Sequence, residues 1–255
     1  MQKELDTSRP HTGRVYDYLL GGTCNFEADR KAAEMLLKVI PHARTMAQLN
    51  RWFLQFVAAR WEQEGVAQVL DLASGLPTQG HFNDQLPNAR ILFSDHDPLN
   101  VSYAEDLLKD RPNARYVLAD LRTPDELMRL ARTFFRQTEK LAVGLVGISY
   151  FLDDASVQRL SQSLFDLAPS GSLLSATFIH KGAPQLDERL VELYRRLVQV
   201  TCSLRSVEDL SKLLAPWRVV ECKPLIDFLD MADQADIEHE LVPTRRFFGL
   251  FAVKD

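Results

Sequence analysis

The sequence predicts an α/β fold: a mixed sheet of seven strands with helices on both faces, preceded by an N-terminal helical cap. Three observations predict it. Beyond Gly65, strand-like apolar runs alternate with helical stretches, the pattern of a mainly parallel sheet. Ahead of Gly65, apolar residues recur only at helical spacing. Towards the C-terminus, Trp217 to Lys223 and Phe247 to Val253 read as two paired edge strands. A chain of 255 residues suits one large α/β domain. We divide it into a cap over 1–64 and a core over 65–255 of the same domain.

The cap opens with a short helix from Arg14 to Leu20, stopped by Gly21-Gly22. A second helix carries Ala28, Ala32, Met35, Leu36 and Val39 along one stripe and ends at Pro41. The third runs from about Arg44 to Glu64, with Met46, Leu49, Phe53, Phe56, Val57 and Trp61 turned inward and Gly65 as its stop. In the core, strands are expected over 67–72, 90–94, 115–119, 141–148 and 172–179, with helices near 98–109, 123–137, 154–167 and 187–200. A further helix spans Val207 to Leu214. The connection from Pro224 to Pro243, with a helical middle at Phe228 to Glu240, is longer than a hairpin requires.

Composition narrows the function. Hydrophobic content of 46% with 25% charged residues is ordinary for a soluble globular protein. A net charge of −5 gives no electrostatic basis for a nucleic-acid partner. Cys24, Cys202 and Cys222 lack zinc-ligand spacing and suit a reducing compartment, and the histidines show no His-x-x-x-His pattern, so no metal is expected. No apolar run approaches the roughly 18 residues that span a bilayer, and Met1 to Asp6 lack a signal peptide's apolar region. A cytoplasmic location without a membrane partner is the expectation.

The first core strand ends on Asp71 and enters the turn Ala73-Ser74-Gly75-Leu76-Pro77; the second ends on Asp95. A tight turn that brings backbone close to a ligand, followed about 20 residues later by an acid for ribose hydroxyls, reads as a nucleoside site. A pyrophosphate cradle wants Gly-x-Gly-x-x-Gly, and Ala73, Gly75 and Thr78 stand at those positions, which disfavours a nicotinamide oxidoreductase. The turn resembles motif I of the class I methyltransferases that use S-adenosylmethionine (SAM), with Asp71, Ala73, Gly75 and Pro77 on the motif.

Ligands of parallel sheets lie outside the carboxyl ends of the strands. There Asp95 and His96 follow the second strand, and Asp120 and Leu121 follow the third. Asp95 can hold ribose hydroxyls and Asp120 can accept from an adenine amine. Each Asp alone could equally cap the helix that follows it. The fourth strand opens into Ser149 and Tyr150, where a methyltransferase commonly meets the methionine part or the acceptor.

The N-terminus carries the most specific resemblance. Ser8-Arg9-Pro10, Arg14-Val15-Tyr16-Asp17-Tyr18-Leu19-Leu20-Gly21-Gly22, Asn25-Phe26 and Asp29-Arg30, continued by Asn50-Arg51, Gly75-Leu76-Pro77-Thr78 and Asp95-His96-Asp97-Pro98, resemble the bacterial family of S-adenosyl methyltransferases. The chain departs from it at Ala73, where the family has glycine, and at His81, where asparagine is common. The resemblance implies a Rossmann-like class I methyltransferase fold with SAM as cofactor, held by Arg14, Tyr18, Asp71, Ala73, Ser74, Gly75, Asp95, His96, Asp120, Leu121 and Ser149. Arg14 would engage the carboxylate and Tyr18 would close over the sulfonium; the alternative is a surface ion pair of Arg14 with Asp17 and a packed Tyr18. Asn25, Asp29 and Arg30 would fix the turn and cap the second helix.

The expected activity is methyl transfer from SAM to a small-molecule acceptor by in-line displacement, for which orientation and exclusion of water matter most. If the acceptor needs a base, His81, Tyr150 and His180 are candidates. The alternative is a SAM- or nucleoside-binding protein without transferase activity.

Overall fold

The computed structural model describes residues 7–76, 80–197, 199–231 and 244–255. The cap comprises α1 (Thr12–Leu19), α2 (Glu27–Val39) and α3 (Ala43–Gln63). The core then runs β1 (Gln68–Asp71), α4 (Phe82–Gln85), β2 (Arg90–Asp95), α5 (Pro98–Leu108), β3 (Ala114–Leu118), α6 (Asp125–Phe134) and β4 (Ala142–Leu145). A 3-10 turn, Ser149–Phe151, leads to α7 (Asp154–Leu167), β5 (Leu173–Ile179), α8 (Pro184–Leu197) and α9 (Val207–Leu214). β6 (Arg218–Pro224), α10 (Leu225–Phe228), a 3-10 turn at Thr244–Arg246 and β7 (Phe247–Val253) complete it.

The sheet order is β3-β2-β1-β4-β5-β7-β6. The first five of these run parallel, while β7 lies antiparallel between β5 and β6. Chain order reverses between β1 and β4, and a crevice opens at such a point beyond the strand ends. Strand alternation sends Val69, Ile91 and Phe93 to a core shared with the cap, and Leu70, Leu92 and Val143 to a second core under α6, α7 and α9. Trp61 and Phe53 of α3 are fully buried, whereas Met35, Val39 and Phe56 of the expected inward stripes lie exposed.

The Arg14 to Gly22 segment is a packing device. Gly21 takes φ +82°, a conformation that favours glycine, and a Cβ on Gly22 would stand 2.0 Å from Asp17 Oδ1. Asn25 Nδ2 donates to Asp17 Oδ2 at 2.9 Å and to the Gly22 carbonyl, and Asp29 accepts from the Phe26 N–H, which starts α2. The roles expected of Asn25, Asp29 and Arg30 match these bonds, Arg30 donating to the Asn25 carbonyl.

Two features differ from the sequence reading. The short α4 between β1 and β2 was not anticipated; His81 caps it, its Nδ1 accepting from the Phe82 N–H at 2.9 Å. The helix expected over Phe228 to Glu240 is not continuous with α10, which ends at Phe228 and is followed by Asp230 at φ +55°. Residues 232–240 of that expected helix lie outside the described residues.

Candidate functional site

The carboxyl ends of β1, β2, β3 and β4 and the cap enclose two adjoining cavities, of about 960 and 690 Å³ including space open to solvent. His11, Thr12, Ala73, His96, Ile148 and Phe151 form their common wall.

The turn after β1 holds Ala73 at φ +50° and Gly75 at φ +62°. A Cβ on Gly75 would meet nothing within 4 Å, so its glycine serves backbone conformation rather than space. Ala73 adopts the same left-handed region without that freedom, at a cost of about 1–2 kcal/mol. The turn is pinned to β2: the Ser74 N–H donates to the Ser94 carbonyl at 2.8 Å, Ser74 Oγ to the Asp71 carbonyl, and the Gly75 N–H to Asp95 Oδ2 at 3.1 Å.

Asp95 is buried and also accepts from the Asp97 N–H at 2.8 Å and Asn100 Nδ2 at 3.1 Å. Burial raises its pKa, but hydrogen bonds from His96, Asp97 and Asn100 outweigh burial and hold it below the usual carboxylate value. Half-exposed His96 is raised above the ordinary imidazole value by its contact with Asp95. Asp71 differs. Its Oδ2 is buried without a hydrogen bond, and burial pushes its carboxyl up to about 7 against the pull of the Arg51 charge.

Several expected residues stand in these walls: Ala73, Ser74, Gly75, Asp95 and His96 line the larger cavity, and Asp120 and Leu121 the smaller. Asp120 is already paired, both oxygens receiving the Arg122 guanidinium.

Other residues are placed differently. Arg14 is buried and donates through Nε to Asp29 at 2.9 Å, Nη1 to Asp97 at 2.7 Å and Nη2 to the Arg9 carbonyl at 3.0 Å, so it ties α2 and the loop after β2 together and lines neither cavity. Its partners are Asp29 and Asp97, not Asp17. Tyr18 also lies outside both cavities, with the Arg44 guanidinium 5.1 Å from its ring centre. One face of α1 meets the cleft, and Tyr16 is the tyrosine on it. Ser149 is turned away, its Oγ donating to the Thr177 carbonyl at 2.6 Å.

Of the three candidate bases, His81 and Tyr150 line the larger cavity and His180 lines neither. His81 lines the cavity, but its Nδ1 lone pair accepts from Phe82, leaving Nε2 to carry the proton 3.7 Å from Asp71 Oδ2; burial holds the ring well below its ordinary pKa. Tyr150 lines the cavity, and burial raises its phenol well above 10. His180 stacks on Phe248 with ring centres 4.9 Å apart and lines neither cavity.

Sequence reasoning assigned no role to Asn50 and Arg51 of α3, both buried and both lining the larger cavity. Asn50 Oδ1 and Arg51 Nε and Nη1 have no hydrogen-bond partner. Their signal was present: a polar pair embedded in an inward apolar stripe. Tyr194 of α8 also reaches this cavity.

This arrangement defines an α/β protein with a two-part cleft, suited to a nucleoside-bearing cofactor, at the switch point of a mainly parallel sheet. The family model described as S-adenosyl methyltransferase matches residues 1–232, and the chain belongs to that family. It is a SAM-dependent methyltransferase with a Rossmann-like fold. A candidate methyltransferase from Thermobifida fusca YX is similar at 26% identity and TM-score 0.86, over 98% of this chain and 97% of that one. A DUF574-family protein from Streptomyces avermitilis is similar at 25% identity and TM-score 0.85, over 98% and 99% of the two chains. The 1,6-didemethyltoxoflavin-N1-methyltransferase of Burkholderia thailandensis shares the fold alone, at 13% identity and TM-score 0.50 over 77% and 76%. No curated protein matches the chain.

Proposed function

We propose that the larger cavity takes the methionine part of SAM together with a small, largely apolar acceptor, and that the smaller one takes the adenine. The observation that carries this reading is Arg51. A buried guanidinium that lines a cavity while two of its donors have no partner is costly until an anion meets it. The SAM carboxylate supplies that anion, so the role expected of Arg14 passes to Arg51. Asp71 is buried behind the turn and lines neither cavity, so it offsets the ammonium and sulfonium charges at a distance rather than by contact. Asp95 holds the ribose, and Asp120 with Leu121 borders the adenine. Cap 1–64 and core 65–255 act as one folded unit in this reading.

When bound, SAM supplies a methyl group already activated on a sulfonium. This chain's residues then have to orient an acceptor and exclude water. Leu19, Leu36, Leu54, Tyr150 and Tyr194 make the acceptor side apolar and aromatic. The Tyr150 hydroxyl stays protonated and serves as a hydrogen-bond donor rather than a base. The acceptor therefore attacks through an atom that is nucleophilic without a protein base. Among the described residues no helix is long and apolar enough to cross a membrane, which agrees with a cytoplasmic enzyme acting on small molecules.

Calorimetry on Arg51→Gln tests the carboxylate role. Losing a charge-assisted bond of about 1.5–3 kcal/mol weakens S-adenosylhomocysteine roughly 10- to 150-fold. Methylthioadenosine, which lacks the amino-acid end, should bind both forms equally. Equal weakening of both ligands, or of neither, refutes the assignment.

A further inference from the structure

His11 and His96 face each other across the common wall of the two cavities, 85 residues apart in sequence, with their Nε2 atoms 3.4 Å apart. The ring centres are 5.0 Å apart at 40°, so the rings meet through nitrogens rather than by stacking. Two imidazole nitrogens converging in this way share either a proton, in an N–H···N hydrogen bond, or a metal ion. Zinc–nitrogen bonds of about 2.0–2.1 Å at tetrahedral angles place two ligand nitrogens about 3.4 Å apart. The observed spacing already has that value.

Behind each ring stands a carboxylate. Asp95 Oδ1 lies 3.4 Å from His96 Nδ1, and Asp97 Oδ2 lies 3.4 Å from His11 Nδ1. An acid at the far nitrogen fixes the tautomer that leaves Nε2 free for a metal, and strengthens it as a ligand. Both acids are themselves held, Asp95 by the Asp97 and Gly75 N–H groups and Asp97 by Arg14. In the metal-free protein His11 Nδ1 accepts from the Gly13 N–H at 3.3 Å, the N-cap bond of α1, which leaves the proton on Nε2; metal binding would shift that proton to Nδ1, towards Asp97, and give up the cap bond. Donor atoms of His11, His96 and Asp95 all fall within 4.8 Å of one another.

We infer that a divalent transition-metal ion, zinc by its preference for imidazole, binds between His11 Nε2 and His96 Nε2 and bars SAM from spanning the two cavities. The ion would fasten the N-cap of α1 to the loop after β2 across the path from adenine to methionine. Solvent completes its coordination. The metal site rests on these side chains alone; the competition rests on the cofactor reading given above.

Zinc titration into tag-free protein without SAM tests the site. His11→Asn keeps a helix-capping side chain, and His96→Ala removes a half-exposed ring, so both should fold, as circular dichroism would verify. The expected result is one zinc bound by the unaltered protein, at least tenfold weaker in either variant, and unchanged in His180→Ala. Absence of binding, or binding that survives both substitutions, overturns the proposal. In a second arm, saturating zinc should weaken S-adenosylhomocysteine binding by the unaltered protein and not by His96→Ala. Unchanged affinity in the unaltered protein overturns the competition. Should the nucleoside fail to bind even without zinc, the cofactor reading falls while the titration still decides the metal site.

Discussion

Replacing Asp71 by Asn removes a carboxyl that the fold holds neutral at a cost in its charged form. Burial pushes this group from an ordinary 3.8 up to about 7. A raised carboxyl pKa means that the folded protein binds the proton more tightly than the unfolded chain between those two values. Its contribution is fully present below about 4 and is lost as pH climbs to about 7. The difference between 3.8 and about 7 corresponds to about 4 kcal/mol, an upper figure because penetrating water relaxes buried charges. His81 acts in the opposite sense, since its lowered pKa costs stability as pH falls below 6.5. The raw pH profile of the protein therefore mixes the two, and the difference between Asp71→Asn and the unaltered protein reports Asp71 together with its coupling to His81, 3.7 Å away. Urea unfolding at pH 4.5, 6 and 8 should show the variant gaining on the parent as pH rises, by up to about 4 kcal/mol, with most of the gain complete by pH 8. Cofactor binding supplies a second reading of the same group: positive charge near Asp71 lowers its pKa, so S-adenosylhomocysteine should release a fraction of a proton near pH 7, visible as buffer-dependent heat that the variant lacks. A stability difference that does not change with pH would refute the reasoning.

Three further outcomes follow from the geometry. Ala73→Gly relieves a left-handed alanine and should raise stability by about 1 kcal/mol in urea unfolding, where a loss would show that the turn is unstrained. Gly22→Ala drives a Cβ into the Asp17 carboxylate and should cost about 1–3 kcal/mol, against a few tenths for an exposed turn. Arg14→Met leaves Asp29 and Asp97 buried without their partner, so unfolding should ease by about 3–5 kcal/mol; weakened cofactor binding at unchanged stability would restore Arg14 to the ligand.

The parallel strands and most helices were legible because each carries its own period and punctuation. Val207–Leu214 and Phe247–Val253 were read to the residue, and in the structure Ser206 and Asp209 close a capping box at the start of the first. The cleft's position followed from the acids and turn that end the strands. Which polar residues face it did not follow. Arg14 and Arg51 are both arginines on cap helices, and only tertiary contact shows that the first is consumed by Asp29 and Asp97 while the second is left unpaired. Tyr16 and Tyr18 stand two residues apart on one helix, and the packing of α1 against α2 and α3 decides which one sees the cavity. Ser149 was misplaced for a related reason: the 3-10 turn it begins presents Tyr150 and Phe151 instead. The meeting of His11 with His96 left no trace in local spacing at all.

Helix α8 brings Tyr194 to the larger cavity, on the side proposed for the acceptor, yet Leu190 is its one fully buried side chain among those described. A wall anchored so lightly tolerates change. Substitutions along α8 can remodel the space beside the methyl donor while the strand ends, the pinned turn and Arg51 stay as they are. Descendants of one ancestral enzyme could thus diverge in what they methylate long before they diverge in how they hold the donor.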